Sequence, residues 1–243
     1  MVLVPPFSVK LDITDVAYVT YLVPEERLRP AVPEKISFAM THEGGAFVSL
    51  VMFNNRNVRA SFFPFVRFNY DQLNVRTYVR DPVTGKTVVL FLKSGITSRV
   101  MSFATRLLGI PWPAVPLEIH SAQEKEGITD YRASGAWEGD ISIQLRGGRP
   151  PGHDYAPFRD MKEAVEFLVT PTAGLYAVPG GVTRFEVQHT FVAPSEGSVA
   201  SVRFPMLEAL GYMTGEELQR PHNVLFTPHG LFRVFLPPEL VRL

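Results

Sequence analysis

The stretch Leu73-Asn-Val-Arg-Thr-Tyr-Val-Arg80 decides how this chain is read. Val75, Thr77 and Val79 alternate with Arg76, Tyr78 and Arg80, the period of two that belongs to an extended strand with one apolar and one polar face. Asp81-Pro-Val-Thr-Gly85 then supplies turn chemistry, and Lys86–Lys93, rich in Val, Leu and Phe, resumes as a second strand. The pair reads as an antiparallel hairpin.

Working outward, the same alternation recurs at Asp140–Arg146 and at Arg184–Phe191, where Phe185, Val187, His189 and Phe191 share a side. Ala46–Phe53 is apolar on both faces and reads as a central, doubly covered strand. Ser198–Phe204 and Leu231–Leu236 add two more. Helical signals are few. Ile96, Val100, Phe103 and Leu107 recur at helical spacing before Gly109 and Pro111. Asp160-Met-Lys-Glu163 is a capping-box pattern opening a helix through Leu168, Thr214-Gly-Glu-Glu217 is another, and Pro24–Arg29 begins with Pro at a first helical position. Many antiparallel strands and few helices predict an α+β chain: an antiparallel β-barrel or cone with a few peripheral helices. A mixed inner face would give such a cone a partly polar lumen suited to a small molecule. With no linker, low-complexity tract or repeat, residues 1–243 are expected to form a single domain.

Composition narrows the function. The chain has 243 residues, 24 Lys+Arg against 24 Asp+Glu, and 46% apolar residues. That content supports a core and excludes disorder. The zero net charge argues against nucleic acid or an anionic membrane as partner. Cysteine is absent, which removes disulfides, thiolate zinc sites and a cysteine nucleophile. Met1–Pro6 carries no basic or long apolar leader, and Val88–Leu92 is far short of the roughly 20 residues of a membrane span. A cytoplasmic protein is expected.

No dinucleotide fingerprint, phosphate loop, serine elbow or zinc-protease motif occurs. Arg146–Gly152 is Gly-rich but carries two prolines and reads as an exposed loop. The six histidines are scattered; neither Glu118 with His120 nor His153 with Asp154 makes a ligand set, so no metal and no cofactor are expected. Arg76 is the residue of interest. If its strand face is the lumen, it is a fixed cation able to grip a carboxylate in bidentate fashion; the equal alternative is a solvent-facing strand. Lys93 ends its strand beside Ser94-Gly95, where an exposed strand-end lysine is the plainer reading.

At several places the sequence resembles a known family. Tyr21-Leu-Val-Pro-Glu-Glu-Arg-Leu-Arg-Pro-Ala-Val-Pro-Glu34 resembles an N-terminal segment of acetoacetate decarboxylase, and Tyr70–Val79 and Leu108-Gly-Ile-Pro-Trp112 resemble its central segments. Over nearly the whole chain the sequence is similar to the uncharacterised bacterial YqjF-like family of the same superfamily. The shared runs are Leu73–Val79, the Gly-x-Pro after the central helix, Phe167–Tyr176 and an ending like His222–Gly230. The resemblance implies an antiparallel cone enclosing a small-molecule pocket. It also implies where decarboxylase chemistry would sit: a Schiff-base lysine, first of two after a proline, a pocket glutamate in Tyr-x-Glu, and an N-terminal arginine. Here Ile110-Pro-Trp-Pro113 puts Trp112 at the lysine position, Tyr70-Asp-Gln72 puts Gln72 at the glutamate, and Asp12–Asp15 holds no arginine. The fold carries over and the reaction does not.

Three functions follow as expectations. The leading one is a binder of a small organic acid or similar metabolite, with Arg76 as anion clamp, Gln72 as hydrogen-bonding arm and Trp112 as apolar wall, plain core packing being the equal alternative for Trp112. The second is an enzyme on a small carbonyl or carboxylate substrate, through acid–base chemistry at His189 or a migrated lysine, Lys93. The third is an interaction protein with no small ligand. The sequence marks no exposed apolar stripe, although the apolar content leaves room for a homo-oligomer interface.

Overall fold

A computed structural model describes residues 6–125, 127–148, 155–191 and 193–243. The described residues form thirteen strands: β1 (Phe7–Pro24), β2 (Thr41–His42), β3 (Gly45–Ala60), β4 (Phe63–Arg80), β5 (Thr87–Ile96), β6 (Leu117–Glu124), β7 (Gly127–Ala136), β8 (Asp140–Gly147), β9 (Ala173–Val178), β10 (Gly181–Phe191), β11 (Ser195–Arg203), β12 (Asn223–Leu236) and β13 (Glu239–Arg242). Four short helices accompany them: α1 (Glu25–Leu28), α2 (Arg99–Leu107), α3 (Met161–Leu168) and α4 (Pro205–Ala209). The α+β architecture with few peripheral helices is the one the alternating strands predict.

Seven strands close a ring in the order β10-β9-β5-β4-β3-β1-β12, with β12 returning to β10. Only the β5–β9 pairing in the ring is parallel. Strand β12 belongs to two surfaces along its length. Gly230–Val234 pair with β10 and shut the ring, whereas Val224–Phe226 pair with β11 and lead into the sheet β11-β8-β7-β6. That second sheet folds over the outer face of β1, β3 and β4. Val19, Tyr21, Val48, Leu50 and Val75 meet Ile119, Tyr131, Ile143 and Phe204 in one apolar layer. Each fully buried Leu, Val or Phe there contributes about 1.5–3 kcal/mol. This explains why Ala46–Phe53 is apolar on both faces: Val48 and Leu50 point into the layer, and Phe47 and Val51 point into the ring.

The ring is closed at its ends by helices. Helix α3 begins as its capping pattern predicts, with the Glu163 N–H donating to Asp160 Oδ1 at 2.9 Å. It packs Leu168 and the neighbouring Phe158 and Phe167 onto Phe47 and Tyr78. Helix α2 follows β5 and is capped by Ser98, whose Oγ accepts from Met101 N–H at 3.2 Å. Its apolar stripe does not face the core. Val100, Phe103 and Leu107 are exposed, and Met101 and Thr105 turn inward instead. Thr214-Gly-Glu-Glu217 makes reciprocal capping hydrogen bonds between Thr214 and Glu217, yet only a single 3-10 turn, Glu217–Gln219, follows before Pro221. Residues 149–152 of the Gly-rich loop, the His153-Asp154 pair and Met1–Pro5 lie outside the described residues.

One irregularity positions the site. Along β4 and β5 the register runs Arg76↔Phe91 and then Val75↔Lys93, leaving Leu92 as an extra residue. Such a bulge shifts the side-chain alternation of β5 by one. Val89 and Phe91 point into the ring before it, and Ser94 and Ile96 pair with Asn74 and Gln72 after it. Gly174 on β9 is needed nearby, because a Cβ would stand 2.5 Å from the Phe185 ring and 2.7 Å from the Phe91 ring.

Candidate functional site

The ring encloses a cavity of about 140 Å³. Strand β4 builds its polar wall by simple period two: Tyr70, Gln72, Asn74 and Arg76 all face it. Asn55 Nδ2 donates to Gln72 Oε1 at 3.1 Å, and Gln72 Nε2 donates to Asn74 Oδ1 at 2.9 Å. The amide row is buried, and the remaining amide atom of Asn55 has no partner. The other walls are apolar, among them Leu11, Ile13, Val51, Phe91, Phe232 and Val234.

Arg76 is the charge in this cavity. Its Nη2 donates to the Leu168 carbonyl at the end of α3 at 2.6 Å, and its guanidinium lies 5.3 Å from the Tyr18 ring centre and 5.6 Å from that of Tyr78. Among the described residues it pairs with no carboxylate, and its buried Nε–H has no acceptor. A guanidinium held by a carbonyl and two aromatic faces keeps its positive charge uncompensated. Tyr18 and Tyr70 also line the cavity, and neither hydroxyl has a hydrogen-bond partner among the described residues. Burial raises both phenols' pKa, so both remain O–H donors. The cavity therefore holds more free donors than acceptors.

Trp112 stands at the opposite end, beyond α2. Ser102 Oγ–H donates to the Trp112 carbonyl at 2.6 Å, and the indole Nε1–H donates to the Tyr176 hydroxyl. Tyr176 stacks on Phe91 with centroids 4.8 Å apart, and burial pushes its phenol pKa up. Trp112 is thus a wall with its one polar atom already used.

Three of the four residues singled out from sequence, Gln72, Arg76 and Trp112, line this one cavity. Lys93 does not. The bulge at Leu92 sends it to the Val75 face of the sheet, where it borders a separate depression with Pro111, Pro113, Trp137 and Glu138. His189 stacks on Phe232 at 5.0 Å, with Nε2 3.2 Å from the Pro171 carbonyl. It borders an open groove of about 950 Å³ with Glu163, Glu166 and Glu186, outside the cavity. Burial, and secondarily the Arg76 charge, lower its pKa. Sequence reasoning missed Tyr18, Asn55, Tyr70 and Asn74. Asn74 was within reach, because it lies at the same period-two spacing as Gln72 and Arg76. Among the described residues no cluster of His, Asp and Glu could hold a metal ion.

A closed, mostly antiparallel ring with few helices is the acetoacetate decarboxylase-like fold. The enduracididine biosynthesis enzyme MppR complexed with pyruvate matches 99% of this chain and 91% of its own at a TM-score of 0.66 and 12% identity. MppR with bound HEPES buffer matches with a TM-score of 0.67 over 98% of this chain and 88% of its own, again at 12% identity. Acetoacetate decarboxylase from Legionella pneumophila matches at 0.60 over 98% and 87%, at 12% identity. These likenesses concern the fold. The chain itself belongs to the DUF2071 family, described as an uncharacterized conserved protein, which it matches over residues 10–229. That family is consistent with the YqjF-like resemblance of Leu73–Val79. No curated protein matches the sequence.

Proposed function

We propose that this protein binds a small organic carboxylate in the ring cavity and does not decarboxylate it through a lysine imine. The observation that carries the reading is Arg76: a guanidinium lining a mostly apolar cavity, without a carboxylate partner among the described residues and with a buried, unsatisfied Nε–H. A half-buried cation lacking its counter-charge carries a desolvation cost, and an anionic ligand supplies that charge together with acceptors for the free donors. Tyr18 and Tyr70 add two hydroxyl donors, and Gln72 with Asn55 offers an amide edge for a second polar group. Size follows from volume. An apolar cavity of roughly 150 Å³ holds a benzene-sized molecule, so a ligand on the order of six non-hydrogen atoms fits the 140 Å³ here. MppR, of the same fold, has been crystallised with pyruvate, a ligand of this class.

Thermal-shift measurement against short-chain and aromatic carboxylic acids and their neutral amides tests this. Saturation at a hundred times Kd stabilises by about 2.7 kcal/mol, or roughly 5–10 °C for a chain of this length. At least one acid should raise Tm while its amide does not, and Arg76→Met should abolish the response. A panel in which no acid shifts Tm, or an Arg76→Met protein that responds like the wild type, overturns the proposal.

A further inference from the structure

The rim of the ring carries seven large apolar side chains turned to solvent. Val100, Phe103 and Leu107 stand on the outer face of α2, and Phe62, Phe63, Phe65 and Val66 stand on the β3–β4 hairpin. Their exposures run from 38% at Val66 to 88% at Phe65. The two groups belong to one rim. At one end α2 is tied to β4 by Thr97, which exchanges 3.0 Å hydrogen bonds with Asp71 where β4 outruns β5. At the other end Leu108 and Ile110 pack with Leu236 and Phe7, and the Phe7 ring meets Phe62 edge-on at 5.1 Å. Phenylalanine, leucine and valine side chains at these exposures amount to roughly 800 Å² of apolar surface. Isolated monomers seldom carry a patch beyond about 300–600 Å².

Its charge is mostly positive, with Lys10 and Asp12 of β1 standing opposite Arg59 and Arg56. Residues 44–70 and 97–117 contain Arg56, Arg59, Arg67, Arg99 and Arg106 and not one Lys, Asp or Glu, in a chain whose net charge is zero. Among the described residues only Arg56 of these has an ion-pair partner, Asp71 at 3.4 Å. Aromatic residues and arginine enriched, with lysine and carboxylates depleted, is the composition of protein–protein interface cores.

We infer that this rim is the interface of a two-fold dimer of the chain. An isologous contact sets the patch against itself. Phenylalanine faces and guanidinium groups complement one another by cation–π contact, so the patch pairs with its own copy although its arginines outnumber the acids beside them, Asp12 and Asp71. The area agrees: a stable interface buries about 800 Å² per partner. Because Met101 and Thr105 of α2 also wall the cavity, the second copy would cover the solvent side of the cavity's own lid.

Salt distinguishes the second copy from other occupants. Like-charged arginines meet across the two-fold, so added salt screens repulsion and tightens the dimer, whereas a lipid, nucleic acid or acidic protein would bind more weakly. Sedimentation velocity on the full chain should give twice 27.2 kDa. The dissociation constant should fall between low and high salt. Phe65→Ser and Phe103→Ser change exposed side chains, so each should weaken the dimer at least tenfold and leave the circular dichroism spectrum unchanged. A wild-type protein that stays monomeric at every salt concentration overturns the inference. So does a dimer indifferent to both substitutions, or a monomer whose phosphatidylserine-vesicle binding those substitutions abolish.

Discussion

Arg76 and Lys93 belong to adjacent strands but to opposite faces of the sheet: Arg76 pairs with Phe91 on the cavity side, and Lys93 pairs with Val75 on the outer side. Two cations that strict alternation would put in one lumen are separated by the single extra residue Leu92. The separation bears directly on chemistry. A Schiff-base lysine must present an unprotonated amine to the substrate, which requires desolvation or a neighbouring cation within the binding pocket.

No lysine lines the ring cavity. Lys93 borders the depression beside Trp137, and Lys10, Lys35, Lys86, Lys125 and Lys162 are exposed with hydrated ammonium groups. Incubation with acetoacetate or pyruvate followed by borohydride reduction should therefore leave the intact mass unchanged. A stoichiometric adduct mapping to Lys93 would sink this expectation.

The contrast between these two cations also marks what a sequence writes legibly. Gln72, Asn74 and Arg76 can be placed on one face because period two is a local property of an extended chain. Their assembly into one wall follows without knowing the partner strands. Leu92 is different: Val88–Lys93 reads as one unbroken strand, and only pairing with β4 reveals that a residue is skipped. The α2 stripe is legible as a helix but not as a direction. Apolar spacing normally points to the core, whereas here Thr105 lies buried and Phe103 lies in solvent. Tyr18 and Asn55 were hidden for a further reason. The strand of Tyr18 is covered on both sides, so its apolar run does not say which face becomes the lumen, and Asn55 lies in the polar stretch Asn54-Asn-Arg-Asn57, which reads as a solvent-facing strand end.

Replacing Arg76 should cost little stability although it lines the cavity. Its 2.6 Å bond to the Leu168 carbonyl is duplicated, because the Tyr78 hydroxyl donates to the same oxygen at 2.9 Å. Removing the guanidinium leaves no orphaned acceptor and takes away an unpaired, half-buried cation. Binding sites commonly hold such unfavourable groups at the expense of stability. Arg76→Met should match or exceed the wild type in chemical denaturation without ligand. A loss above about 2 kcal/mol, the scale of a broken buried network, would mean that Arg76 is chiefly structural.

His189 gives the fold a pH dependence whose sign can be worked out. Burial lowers its folded-state pKa, the Arg76 charge adds to the effect, and the hydrogen bond to the Pro171 carbonyl opposes it. The unfolded chain titrates this histidine near its ordinary value of about 6.5. Between that value and the lower folded one, the unfolded state binds more protons, so stability rises with pH through the interval. The contribution is complete above the unfolded pKa and is lost as pH falls toward the folded one. Tm should accordingly drop as buffer goes from pH 7 toward 5, before most carboxylates titrate, and His189→Gln should flatten that drop while changing Tm least at pH 5. Scanning calorimetry of both proteins across the interval provides the comparison. Parallel curves would show that His189 binds a proton equally well folded and unfolded, and that its packing against Phe232 leaves it hydrated.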